Sequence, residues 1–245
     1  MNLERANLTI GAVLAALGPL PVLFSHKCNP VSHALHAELG PYFESNKMLF
    51  LQCDPFKNGE HLTLKMGRLP MNGVVFYCTD ESNQSKACER ELATARRMSV
   101  PIMVIADDEA SPPPDLKQRL YPKLPGLTGR SRSNTFNELA DQMQRRSRVH
   151  AVLQWLSEAG RTVEEREDGC AWLCEQPAQI LAEFLKEIAQ LHRGKDEDNI
   201  VCRTLATVLG LTATREAIPY LEMWLALSTH PNARYGCDLA LQALQ

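Results

Sequence analysis

Glu91 is the residue of this chain whose type and position most demand a chemical explanation. Residues 85–99 (SKACERELATARRMS) have a helical pattern, and at about 100° per residue Cys88, Leu92, Ala95 and Met98 form an apolar stripe. Lys86, Glu89, Arg90, Arg96 and Arg97 gather on the opposite side, but Glu91 falls inside the stripe, between Ala95 and Met98. A carboxylate among apolar neighbours must be partnered, protonated or used. Ser85 stands where a helix cap would. Cys88 fits a small buried packing residue, because a nucleophilic thiol would need a His–Cys arrangement that spacing does not supply.

Other reactive residue types carry weaker signals. His26, Cys28, His33 and His36 are metal-ligand types, and His33 and His36 share a helix face, but the spacing fits no standard zinc module, so no metal is expected. Cys170 and Cys174 are too far apart for a CxxC redox pair and are expected to pack. Arg130, Arg132, Arg145, Arg146 and Arg148 make a basic cluster, expected as a solvated face or a contact between domains. No P-loop or dinucleotide glycine fingerprint is present, so nucleoside triphosphate and dehydrogenase chemistry are not expected.

The elements that must hold Glu91 are short apolar runs alternating with helices. Residues 73–79 (GVVFYCT) have the β-branched and aromatic content of a buried strand, 80–84 has turn chemistry, and 101–106 is a second strand. Residues 21–25 (PVLFS) and 48–52 (MLFLQ) are two more. Between them, 30–44 is amphipathic through Leu35, Leu39 and Phe43. A loop at 54–60, with its Pro, Asn and Gly, precedes a short helix over 61–69. A proline-rich surface loop spans 111–125, and 134–146 is the last helix of the unit, with Phe136, Leu139 and Met143 inward. Near-continuous apolar strands separated by helices predict an α/β domain whose parallel sheet is covered on both faces. The apolar run 9–20 is too short to span a bilayer. It lacks a signal peptide's basic start and small-residue end, so a buried helix capped near Asn7 or Thr9 is expected.

Beyond Arg148 the pattern is helical throughout: 149–158, a charged linker at 160–169, a stripe from Ile180 to Leu191, then 200–209, 216–227 and 232–244. Arg203, Ala206 and Leu209 are weakly echoed by Arg234, Cys237 and Leu241, which suggests stacked hairpins of HEAT type. Two domains follow, 1–148 and an all-α domain at 149–245. The 245 residues carry a net charge of -3, so neither nucleic acid nor an anionic membrane is expected as a partner. Eight cysteines without paired spacing fit reduced thiols and a cytoplasmic location.

Residues 1–148 resemble a Toll/interleukin-1 receptor (TIR) domain, closest to the bacterial NAD-cleaving kind. VLFSH at 22–26 is similar to the family's first strand, and 54–60 to its BB loop, with Pro55 and Gly59 suitably placed. VVFYCTDESNQSKACEREL at 74–92 resembles the segment carrying the Ser-x-Trp-Cys-x-x-Glu motif, with Ser85, Cys88 and Glu91 on its Ser, Cys and Glu. VPIMVIA resembles the strand that follows. The resemblance implies a flavodoxin-like fold and cleavage of NAD, as substrate rather than cofactor, at the nicotinamide–ribose bond. It gives Glu91 the catalytic role. By position Ser25, His26, Lys27 and Ser85 could contact the dinucleotide. Ala87 stands where the family usually has Trp, and Phe56 or Tyr77 is the candidate to supply an aromatic face instead. The resemblance also implies self-association through TIR–TIR contacts, either to activate the enzyme or, in a scaffold without catalysis, as the whole function. The helical region then offers an extended surface to further copies or to a protein partner.

Overall fold

Four short apolar runs pair as one sheet in the computed structural model, which describes residues 10–16, 18–52, 71–107, 110–119, 124, 128–158, 160–191 and 196–245. They are β1 (Leu20–Ser25), β2 (Met48–Gln52), β3 (Gly73–Cys78) and β4 (Ile102–Ala106), in the order β2-β1-β3-β4 with every pairing parallel. The expected parallel α/β sheet is therefore present. The expected loop at 54–60 and helix at 61–69 lie outside the described residues.

Every residue of β3 and β4 is buried, so their continuous apolar sequence conceals an alternation between two faces. On one face Phe24, Val75, Tyr77 and Ile105 pack against Leu39 and Phe43 of α2 (Pro30–Ser45) and Phe136 of α5 (Gly129–Ser157). On the other, Leu23, Phe76 and Val104 pack against Cys88, Leu92 and Ala95 of α4 (Lys86–Arg97). A short helix, α3 (Asp80–Asn83), occupies the expected turn and is capped by Thr79. Leu92 is 4% exposed, and burying such a side chain contributes roughly 1.5–3 kcal/mol. The strand order reverses between β1 and β3, and open sheets of this kind hold ligands in the crevice at the carboxyl ends there. A Cβ on Gly73 would stand 2.5 Å from the Met143 sulfur and 3.1 Å from Ser147 Oγ, so any larger residue there would have to displace side chains of α5.

The chain divides into two compact units, one of residues 18–148 and the other of 149–245 together with the helix α1 (Ile10–Ala16). That membership corrects the expectation that the first helix belongs with the sheet. The Ile10 N–H donates to the Asp168 carboxylate, and Ile10 and Val13 share a core with Leu156 and Leu173. A second correction concerns 134–146 and 149–158, which belong to the single helix α5. Ser147 and Arg148 contain no helix breaker, and Ser147 is fully buried. A third is the expected linker, which is helical as α6 (Val163–Cys174). Its start is a capping box: the Glu165 N–H donates to Thr162 Oγ1 at 3.2 Å, and the Thr162 N–H to Glu165 Oε2 at 3.0 Å.

The rest of this unit comprises α7 (Ala178–Leu191), α8 (Asp196–Leu211), α9 (Ile218–Leu227) and α10 (Pro231–Leu244). The weakly alike helices α8 and α10 pack side by side, close enough that a Cβ on Gly210 would stand 3.1 Å from the Ala240 Cα. Cys202 and Cys237 meet there with sulfurs 3.8 Å apart. Among the described residues no helix is long and apolar enough to cross a membrane.

Candidate active site

The carboxyl end of β1 and the first turns of α4 bring together most of the residues singled out in the sequence. β1 ends at Ser25, which is fully buried and in register with Phe76 of β3. His26 follows at 6% exposure, and Lys27 is exposed. The Lys27 N–H donates to Ser82 Oγ at 3.1 Å, tying the β1–α2 loop to α3. On the facing segment Ser85 caps α4, accepting from the Cys88 N–H at 3.5 Å.

Glu91, one turn further along α4, is 6% exposed, the burial its place in the apolar stripe predicts. The Cys88 thiol marks where the groups converge. Burial pushes its pKa up, the Ser85 side chain opposes that, the Glu91 charge pushes it up again, and the Ser25 hydroxyl opposes once more. Ser25 Oγ stands close enough to act on the thiol without reaching full hydrogen-bonding geometry. A thiol raised in this way stays protonated near neutral pH, which fits packing and not a thiolate nucleophile. Ser25, Ser85, Glu91 and Cys28 thus all act on the Cys88 thiol, which groups them around one sulfur.

A second group adjoins them at the ends of β1 and β2. The Gln52 side-chain nitrogen lies 3.1 Å from His26 Nε2 and also hydrogen-bonds His33 Nδ1. An amide NH2 carries two hydrogens, so one Gln52 side chain can bridge the two rings. The pKa of His26 is lowered, first by burial, with His33 and His36 adding to it and the Lys27 backbone opposing. Burial likewise lowers His36, whose ring stacks on Phe50 with centroids 4.8 Å apart. Gln52 escaped the sequence reading. Its signal was a polar residue closing an otherwise apolar strand, in register with Phe24 beside His26.

Of the two aromatic candidates, the structure describes Tyr77 alone. Tyr77 packs on the α2–α5 face of the sheet, opposite α4, because it alternates with Phe76 and Cys78 along β3. Phe56 lies outside the described residues. Ala87 is exposed on α4. Among the described residues no three His, Cys, Asp or Glu side chains gather as metal ligands would. Compared with known proteins, the chain matches no family model, no curated protein and no solved structure.

Proposed function

We propose that the chain is a TIR-type NAD glycohydrolase or cyclase, with a flavodoxin-like catalytic domain and a HEAT-like helical domain. The observation that carries this reading is the buried carboxylate of Glu91, set beside Ser25, Ser85 and Cys88 at the carboxyl end of the sheet. The chemistry asks for one carboxylate. The nicotinamide ring is cationic in NAD and leaves neutral, taking the electron pair of the ribose–nitrogen bond, so no general acid is needed for its departure. Positive charge grows on the ribose, as in other oxocarbenium-like cleavages. A carboxylate held beneath the ribose hydroxyls stabilises that charge and orients the sugar. Water then yields ADP-ribose and a proton, while attack from within the molecule yields a cyclic product.

Ser25 and Ser85 are positioned to hydrogen-bond ribose or phosphate oxygens, and Lys27 to meet phosphate charge. His26, neutral and fixed by Gln52, offers a ring face without adding charge near the developing cation. Assembly of several copies activates the enzyme in this reading, and its setting is cytoplasmic signalling in immunity, virulence or cell death. The test is release of free nicotinamide from NAD by the full chain. Glu91→Gln, which keeps the side-chain volume, lowers that rate at least about a hundredfold. An unchanged rate removes Glu91 from the site.

One observation favours a second reading, a TIR scaffold that signals by self-association without catalysis. Ala87, exposed on α4, leaves the motif without its usual indole. This reading predicts no nicotinamide release at any protein concentration, together with concentration-dependent self-association.

A further inference from the structure

On the other face of the sheet a cavity of about 490 Å³ opens between the first turns of α2 and the beginning of α5. Its volume lies within the range of about 300–1,000 Å³ common to small-molecule sites. Pro30, Val31 and Leu35 of α2 and Leu124 form an apolar wall, with Val31 64% exposed at the surface. Facing them are polar groups from three elements: Tyr77 near the end of β3, Asp107 just after β4, and Arg132 on α5. Arg132 is held in a fork by Glu38, with Nε–Oε1 and Nη2–Oε2 distances of 2.7 and 2.6 Å, and lies 5.2 Å from the centre of the Phe136 ring.

The donors and acceptors of this edge are fixed by their chemistry. Burial raises the Tyr77 pKa, the Asp107 charge raises it further and Arg132 opposes, so the phenol keeps its proton and donates. A carboxylate offers about four acceptor sites, so Asp107 can take a ligand donor in addition to any contact it already makes. The ion pair with Glu38 occupies part of the Arg132 fork and leaves further N–H donors. The charged lining is two carboxylates, Glu38 and Asp107, against one guanidinium, a sum of minus one. A complementary ligand has a flat apolar face and a polar edge carrying a donor beside an acceptor, and is not an anion.

We propose that this cavity binds the amine-bearing base of a neutral nucleoside, its exocyclic amine donating to Asp107 and a neighbouring ring acceptor receiving the Tyr77 hydroxyl. The ring lies along Val31 and Leu35. A base with no N–H on that edge, such as that of 3-methyluridine, sets a methyl group and carbonyl oxygens against the Asp107 carboxylate and is rejected, since it offers that carboxylate no donor. The site is separate from Glu91, which lies on the α4 side.

Titration calorimetry of the full chain with adenosine, cytidine and 3-methyluridine tests this. Adenosine or cytidine binds with unit stoichiometry and 3-methyluridine does not. Asp107→Ala weakens the binding at least about tenfold, and Val31→Trp, which fills the cavity from an exposed position, abolishes it. Glu91→Gln leaves it unchanged. Absence of any nucleoside binding at millimolar concentration overturns the proposal, as does 3-methyluridine binding equally well, or binding that survives Asp107→Ala and Val31→Trp. Loss of binding in Glu91→Gln also overturns it, because the nucleoside would then occupy the other face. Failure of NAD cleavage is read separately, as absent nicotinamide release, and does not alter this titration.

Discussion

At the scale of single residues the site is governed by how burial selects protonation states. His26 and His36 are held neutral by burial, which makes the sheet unit sensitive to acid. The sign follows from proton linkage. The folded pKa values lie below the unfolded value of about 6.5, so between the two the unfolded chain binds more protons and stability rises with pH. The contribution is fully present above the unfolded value and is lost as pH falls towards the folded one. Protonating His26 also brings a charge beside the His33 ring. Thermal unfolding between pH 7 and pH 5 is therefore expected to show a falling midpoint, and a smaller fall in His26→Gln. Equal slopes in the two proteins would mean that His26 does not contribute. Glu91 was legible at this scale because a charge inside an apolar stripe breaks a periodic pattern. Gln52 was not, because the contact that gives it meaning joins two strands distant in sequence. The face taken by Tyr77, a candidate aromatic wall, was not legible for a related reason: a fully buried strand hides which face each residue takes until its neighbours are known.

At the scale of elements, the strands were legible because turn residues and proline bound each apolar run. The division of α5 and the linker at 160–169 were expected where composition changes, but helices end at breakers and caps, and composition alone ends nothing. Thr162-x-x-Glu165 was a capping-box pattern lying within the supposed linker. Its energetic weight can be measured. Thr162→Ala removes the acceptor of the Glu165 N–H and keeps the Glu165 carboxylate's contacts with the Thr162 N–H and Arg161. The expected loss is about 1 kcal/mol, seen as a lower urea midpoint at unchanged slope. Thr162→Ser restores most of it. The close fit of Gly169 to Leu156, where an added Cβ would stand 2.7 Å from Leu156 Cδ2, means that fraying this first turn also loosens packing onto α5. A loss much below that magnitude would indicate that packing at Gly169 holds α6 without its cap.

At the scale of the whole molecule, each unit has its own apolar core, and the chain presents apolar side chains to solvent on its helical unit, with Leu211 72%, Tyr235 61% and Leu239 47% exposed. With a net charge of -3, mutual repulsion between copies is weak and apolar contact can bring them together. If assembly switches on the Glu91 site, the catalytic carboxylate and the assembling surfaces are separable. Glu91→Gln keeps the surfaces and lacks the carboxylate. Added in about tenfold excess to dilute wild type, it raises the assembled fraction by mass action, and the nicotinamide released per wild-type molecule rises. Specific activity of wild type alone rises steeply with its own concentration over the same range. A rate per wild-type molecule that ignores the added variant would show that each site works alone. A falling rate would show that neighbouring copies must both supply Glu91, which makes the active unit an assembly in which the carboxylate of one copy serves the site of another.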